Sequence, residues 1–175
     1  MREAVHARID IGLKVLATVI AMFGVVKYFH ALGVAEDLAR KGESRAVIAA
    51  YSSENMQVAR TALVHFWVGQ PSFLGMEDVA NGASGRAYFA LARKKLANGD
   101  EALWQSLFTV SSYFDDAWFC RSSTLCDQEI LDEFVCSKSL AINKTYREFF
   151  NAMNVQLRAS SFGKSLAKYS GVCLG

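Results

Sequence analysis

The chain has 175 residues, a length that fits one domain with an appendage. Its hydrophobic content of 52% is slightly high for a soluble domain, and the single proline and 12 glycines argue against long disordered segments. The formal net charge is only +2, and residues 34–175 are neutral, with fifteen basic and fifteen acidic side chains. Because nucleic-acid binding requires a concentrated positive field, we expect no nucleic-acid partner.

The first predicted element is an apolar helix near the N-terminus, in the stretch "IGLKVLATVIAMFGVVKYFHALG". Its uncharged part, residues 15–26, has twelve residues, whereas a bilayer core of about 30 Å requires roughly 20 helical residues. Lysines near the ends of a span extend towards the headgroups, so Lys14 and Lys27 lengthen the usable segment to residues 11–29. We therefore predict a transmembrane helix with Lys14, Lys27 and Tyr28 as anchors at the membrane interface.

Two other interpretations of this helix stay open. Three basic residues precede the apolar core, and "GVA" at 33–35 is a tolerable cleavage signal, as in a leader peptide. A buried core helix of a soluble domain has a similar length. We prefer an uncleaved membrane anchor, residues 1–33, followed by a helical domain, residues 34–175.

Helical signals dominate the rest of the chain. The segment "ESRAVIAAYSS" predicts a short helix, and "ENMQVARTALVHFW" predicts a second one that Ser52 or Ser53 can cap. Gly69 and Pro71 end this second helix. The segment "NGASGR" is expected to be a loop or a helix start, and "RAYFALARKKLANGD" predicts a helix closed at Asn98.

The clearest helix covers residues 100–119, where apolar side chains recur at helical spacing: Leu103, Leu107, Val110, Phe114 and Trp118. A break follows at "CRSSTLCD", where Asp127 can cap the next helix, "QEILDEFVC". Another break is predicted at 137–139, before a long helix at 139–158 and a weakly patterned tail that wraps back on the bundle. The predicted fold is all-α: an N-terminal transmembrane helix followed by a small bundle of about five helices.

No motif in the sequence indicates catalysis, a metal or a cofactor. The three histidines lie far apart, and no Ser/His/Asp or Cys/His signature surrounds them: His6, His30 and His65. Asp115 and Asp116 are adjacent on a predicted helix and point about 100° apart, which favours a solvated face over a shared metal site. The same interpretation applies to "DEF" at 132–134. We therefore expect a non-enzyme with no catalytic, cofactor-binding or metal-binding residues.

Cys120, Cys126, Cys136 and Cys173 form no C-x-x-C pair, which disfavours a zinc or thioredoxin-like site. Each follows an apolar residue, so one interpretation is that all four are small buried hydrophobic residues. The other is two disulfides, for which we prefer Cys120–Cys126 across an interhelix loop and Cys136–Cys173 between tail and bundle. An even number of cysteines, all in the domain behind the anchor, is typical of an exported domain.

Two stretches carry a resemblance to a known family: "YSSENMQVARTALVHFW" and "VSSYFDDAWFCRSSTLCDQEILDEFVCSKSLAINKTYREFF". Together they resemble a family of short bacterial proteins known only as a domain of unknown function, whose members often carry an N-terminal membrane helix. The resemblance covers about residues 45–150 and implies a helical domain behind a membrane anchor. The extra cysteines depart from the family pattern, and the family supplies no catalytic residues.

These observations predict a non-catalytic, single-pass membrane protein that acts as an accessory, scaffold or assembly subunit of a larger membrane complex. Its partners would be membrane lipid and protein subunits of that complex. The basic residues on the two sides of the apolar core nearly balance, so the cysteines decide the expected location: the bacterial inner membrane, with the C-terminal domain in the periplasm. The alternative is a stand-alone, membrane-anchored sensor or defence-type module that binds a ligand or dimerises.

Overall fold

Helices account for the regular structure of the described chain. The computed structural model describes residues 2–69, 86, 90–95, 98, 101–157 and 161–174, and no strand occurs among them. The main helices are α1 (Arg2–Ala50), α2 (Glu54–Val68), α3 (Glu101–Ser122), α4 (Gln128–Leu157) and α5 (Lys164–Val172). Residues 90–95 are helical as well. The all-α prediction is therefore confirmed for this part of the chain.

Internal contacts divide the chain into two units, Met1–Ala39 and Arg40–Gly175. The division falls six residues beyond the predicted boundary at 33/34, because α1 continues through Gly33 and ends only at Ala50. The separate short helix predicted in "ESRAVIAAYSS" is wrong, since this segment is mostly the end of α1. The region lacks proline, and an interior glycine costs a helix only about 1 kcal/mol, so nothing local forces a break.

The turn between α1 and α2 is closed by serine. The backbone N–H of Met56 donates to Oγ of Ser53 at 3.4 Å, which confirms Ser53 as the cap of α2. The Gln57 amide also donates to the Ser52 carbonyl at 2.8 Å. From this start, α2 buries three residues that share one face against α3: Met56, Ala59 and Leu63.

Helix α3 lies at the centre of the bundle, where α2, α4 and α5 all pack against it. Four positions of the predicted stripe are buried, Leu103, Leu107, Val110 and Phe114. Trp118, the fifth, is only partly buried at the edge of the core. The stripe prediction is thus confirmed except at its last residue.

Helix α4 starts at the predicted cap and then continues through a predicted break. The Ile130 N–H donates to a carboxylate oxygen of Asp127 at 3.2 Å, as expected for an N-cap. The break at 137–139 is wrong, because α4 runs without interruption to Leu157. Ser139 donates its hydroxyl to the Cys136 carbonyl at 2.9 Å and is fully buried, so its polar group is satisfied inside the helix.

A tight turn before α5 returns the tail to the bundle, as predicted. The Asn154 side chain donates to the Phe162 carbonyl at 2.7 Å and accepts from the Phe162 N–H at 3.0 Å. Gly163 follows with φ of +70°, and its N–H donates to the Ser111 hydroxyl at 3.1 Å. A Cβ at Gly163 would lie 2.7 Å from Cγ of Phe150, so both backbone angle and space require glycine here.

Gly163→Ala should therefore destabilise the bundle by at least about 2 kcal/mol. The left-handed conformation alone costs a residue with a Cβ about 1–2 kcal/mol, and the clash with the Phe150 ring adds to this. Gly171→Ala is the matched control, since a Cβ there meets no atom within 4 Å. Within α5 that change should be neutral or stabilising by up to about 1 kcal/mol. Urea unfolding of the full chain in detergent micelles measures both, and equal midpoints would contradict the assignment.

Candidate functional site

The apolar segment of α1 is exposed along its described length. Large hydrophobic side chains face outward on every side of the helix, among them Leu16, Ile20, Phe23, Val26 and Phe29. Among the described residues, the helical segment Leu16–Ala50 is long and apolar enough to be a candidate membrane span. A cleaved leader and a soluble core helix can share this length and composition, although none of the apolar window is buried inside the protein.

Two of the three predicted interface anchors can be placed. The ammonium group of Lys27 lies 5.2 Å from the centre of the Phe23 ring, one turn earlier on α1. Tyr28 is exposed, and its ring contacts the Phe29 ring edge-on at 5.9 Å. The side chain of Lys14 lies outside the described residues. The anchor role of all three stays a prediction.

The end of α1 is hydrogen-bonded to the turn between α3 and α4. The Asp127 N–H donates to the Arg40 carbonyl at 3.3 Å. The hydroxyl of Ser44 is 3.0 Å from both the Arg40 and the Asp127 carbonyls, between which its single proton is shared. Ser44 is fully buried at this contact. The sequence does not predict this contact, because nothing in "KGES" distinguishes a buried serine from a solvent-exposed one.

The cysteines form the two pairs that the disulfide interpretation names. Cys120 and Cys126 are joined across the turn between α3 and α4, with a Cα–Cα distance of 5.4 Å. Cys136 and Cys173 join α4 to the end of α5, with a Cα–Cα distance of 5.5 Å. Both distances lie in the usual range for disulfides. Cys120 and Cys126 are also buried, so the hydrophobic interpretation describes their environment as well.

Tyr51, directly after α1, packs in a cluster of aromatic side chains, and two basic side chains lie against the rings of this cluster. The ring centre of Tyr51 is 5.1 Å from that of Tyr113 and 5.6 Å from that of Phe134. The Arg60 guanidinium lies 4.3 Å from the Tyr51 ring, and the Lys138 ammonium lies 3.6 Å from the Phe134 ring. Burial raises the pKa of both Tyr51 and Tyr113, so both hydroxyls are protonated at neutral pH. The Tyr113 hydroxyl is buried without a hydrogen-bond partner among the described residues.

A polar cluster joins α3, α4 and α5. Arg121 donates to both carboxylate oxygens of Asp132, with Nε to Oδ1 at 2.9 Å and Nη2 to Oδ2 at 3.0 Å. The Tyr169 hydroxyl donates to the same Oδ1 at 2.6 Å. The solvated interpretation of "DEF" is thus wrong for Asp132, whose partners lie 11 and 37 residues away in sequence. Because its carboxylate accepts from three donor groups, Asp132 serves as a structural acceptor rather than a free base.

One surface of α3 remains open opposite its buried stripe. We call it the outer face of α3 and define it as Gln105, Phe108, Ser112, Asp115 and Phe119, all of which are exposed. The solvated prediction for Asp115 and Asp116 is confirmed by their exposure. Two phenylalanines are unusual members of such a face, with exposed fractions of 56% for Phe108 and 64% for Phe119.

The described residues bring no set of reactive side chains together. They contain no group of three histidine, cysteine or acidic residues placed to hold a metal ion. His65 borders a shallow surface groove of about 370 Å³ with Lys95, and His30 belongs to the other unit. A non-catalytic role therefore stays a prediction.

Comparison with protein-family models, with curated proteins and with solved structures yields no match to this chain. The resemblance to a bacterial family of unknown function therefore stays a prediction. What is known of the site comes from its own geometry: an exposed apolar helix, a bundle fastened by two disulfides, and an open aromatic and acidic face.

The contribution of the Tyr169–Asp132 hydrogen bond to stability can be tested at neutral and at alkaline pH. Tyr169→Phe should lower the free energy of unfolding by about 1.5–3 kcal/mol at neutral pH, because a hydrogen bond to a charged group is lost. Burial, followed by the bond to Asp132, raises the pKa of Tyr169 above its ordinary value of 10.0. Its contribution is therefore complete below about pH 10 and is lost as pH rises, by about 1.4 kcal/mol per pH unit. The variant should show a correspondingly weaker alkaline destabilisation.

Tyr113→Phe is the matched control for this measurement. It removes a buried hydroxyl without a partner among the described residues, so stability at neutral pH should be unchanged or slightly higher. The pKa of Tyr113 is also raised by burial, so this variant too should lose less stability above pH 10. Urea unfolding at several pH values, followed by tryptophan fluorescence, measures both. A Tyr169→Phe profile equal to wild type would contradict the assignment.

Proposed function

We propose that the chain is a non-catalytic, single-pass membrane protein that acts as an accessory or assembly subunit of a larger membrane complex. The exposed apolar segment of α1 carries this proposal. Large apolar side chains are exposed on every side of this segment, and a large exposed apolar patch marks a protein or membrane interaction site. A lipid bilayer covers all sides of a helix at once, so lipid is the first proposed partner.

The exposed aromatic residues of the bundle support the role of a subunit. The core of the bundle is built from aromatic and aliphatic side chains of α2, α3, α4 and α5, and residues 34–175 have no net charge. Two phenylalanines stay exposed on the outer face of α3, and aromatic residues are enriched in protein interfaces. The proposed partners are protein subunits that cover such a surface.

The disulfides support a location for the bundle. Both pairs lie in the unit Arg40–Gly175, and disulfides persist in oxidising compartments. We place the apolar helix in the bacterial inner membrane with the bundle in the periplasm. In that compartment the Cys136–Cys173 bridge closes a loop of 37 residues, which by loop entropy stabilises the fold by about 3–4 kcal/mol.

Ile20→Arg combined with Phe23→Arg should release the protein from membranes. Each arginine near the centre of a span costs about 2.5–3.5 kcal/mol of insertion free energy. Val58→Arg combined with Val64→Arg is the matched control, because both valines are exposed on α2 in the other unit. Wild type and control should stay in the membrane pellet after an alkaline carbonate wash, whereas the first variant should not. Wild type in the supernatant would contradict the membrane assignment.

Thiol labelling of the same membranes measures on which side of the membrane the bundle lies. Freshly prepared protein, denatured without reductant, should show no reactive thiol, and a reduced sample should show four. Four reactive thiols without reductant would place the bundle on the reducing side of the membrane and overturn the periplasmic location.

Purification of the tagged full chain in mild detergent tests the function itself. We expect one or more other membrane proteins in a fixed stoichiometric ratio, because an accessory subunit remains bound to its complex. A chain that elutes alone and monomeric would refute the accessory-subunit role. A pure homodimer would favour the alternative function, a self-associating sensor or defence-type module.

A further inference from the structure

The outer face of α3 forms a seam along one side of the helix. Its residues follow one another by three, four, three and four positions: Gln105, Phe108, Ser112, Asp115 and Phe119. Residues at this spacing share one face of an α-helix, so Phe108 and Phe119 lie on the same side of α3 with Asp115 between them. Buried residues mark the inner face of α3, and α2, α4 and α5 all pack against this helix. The outer face is exposed in the part of the chain that the structure describes, so it can receive one further helix.

The two phenylalanines are the apolar anchors of this seam, on either side of Ser112 and Asp115. They are eleven positions apart, which corresponds to about 16 Å along a helix. The Phe108 ring stacks on the Phe162 ring at 6.0 Å, with an angle of 16° between the planes. This contact orients Phe108 before any partner binds, which reduces the entropy lost on association. Exposed aromatic anchors of this kind carry much of the binding energy in protein interfaces.

The charge between the anchors decides which partner fits. Asp115 lies on the seam and Asp116 beside it, both exposed and without an ion-pair partner among the described residues. An anionic lipid surface would repel these carboxylates. A second copy of this chain, related by a two-fold axis through the seam, would bring four carboxylates near one another. A helix that places lysine or arginine against Asp115 instead gives complementary charge.

We propose that the outer face of α3 binds a basic amphipathic helix of another protein, whose apolar residues contact Phe108 and Phe119 and whose Lys or Arg side chain pairs with Asp115. The inference rests on the proposed function and names the chemistry of the partner subunit. The partner helix lies along α3 with its cation between its two apolar contacts.

Photocrosslinking in the membranes of cells that produce the full chain tests this docking surface. Phe119 is replaced by p-benzoylphenylalanine, which keeps the aromatic ring and reacts with neighbouring C–H bonds on illumination. Val58, on α2, is the matched control position, because its exposed fraction of 64% equals that of Phe119. The expected result is one adduct of discrete size from position 119 and none from position 58. The crosslinked peptide should belong to another protein and contain lysine or arginine in a helical apolar pattern.

Reversing the charge of Asp115 and Asp116 tests whether the yield of the adduct depends on their carboxylates. Asp115→Lys combined with Asp116→Lys should lower the yield of the adduct at least about tenfold, because like charges then face each other. Asp115→Asn combined with Asp116→Asn should lower it less. Both positions are exposed on α3, so the circular dichroism spectrum and the melting temperature should stay close to those of wild type.

The remaining outcomes overturn the proposal. Absence of an adduct at 119, an adduct to lipid, an adduct to a second copy of this chain, equal yield at 58, or no response to charge reversal would each refute it. Its failure is distinct from failure of the proposed function. A chain that co-purifies with stoichiometric partners but gives no charge-dependent adduct at 119 remains an accessory subunit that uses another surface.

Discussion

The bundle depends on the burial of one face of α3. Leu107, Val110 and Phe114 are completely removed from solvent, and the other helices are arranged around them. Each large apolar side chain contributes about 1.5–3 kcal/mol when fully buried, so this stripe is a major source of stability for the bundle. Because three helices share α3 as their common neighbour, a change on its inner face affects all of them together.

The last helix illustrates how much polar contacts add to this apolar core. With nine residues, α5 is too short to be stable as an isolated helix. It is held by Leu166 in the core, by the Tyr169–Asp132 hydrogen bond and by the disulfide from Cys136 to Cys173. Ser170 adds a buried hydrogen bond to the Ser139 carbonyl at 3.0 Å. Satisfied polar groups thus fix the register of a helix that burial alone would leave free to slide.

Local signals predicted the features that depend on local chemistry. The spacing of the stripe in α3 and the caps at Ser53 and Asp127 could be predicted from neighbouring residues. The two cysteine pairs were one of two interpretations that the sequence left open, and one pair joins residues 37 positions apart. The errors occurred where long-range contacts decide. Residues 137–139 look like a break, yet they form helix because Ser139 is buried under α5. Asp132 looks solvated, yet its partners come from two other helices. Of the outer face of α3, the sequence predicted the exposure of Asp115 but not that of Phe108, because a phenylalanine is usually expected in the core.

Two of the surfaces that are exposed among the described residues differ in the surroundings that suit them. Along α1, apolar side chains point in every direction, so a single partner helix would leave most of them in water. A continuous apolar medium fits that surface better, which is why lipid is the proposed partner there. The outer face of α3 is instead narrow and carries carboxylates between its aromatic residues. A bilayer core would desolvate those charges without compensation, whereas a helix with a matching cation compensates them. Lipid for one surface and protein for the other is the combination that we propose, and it is the combination that a membrane-anchored subunit of a complex requires.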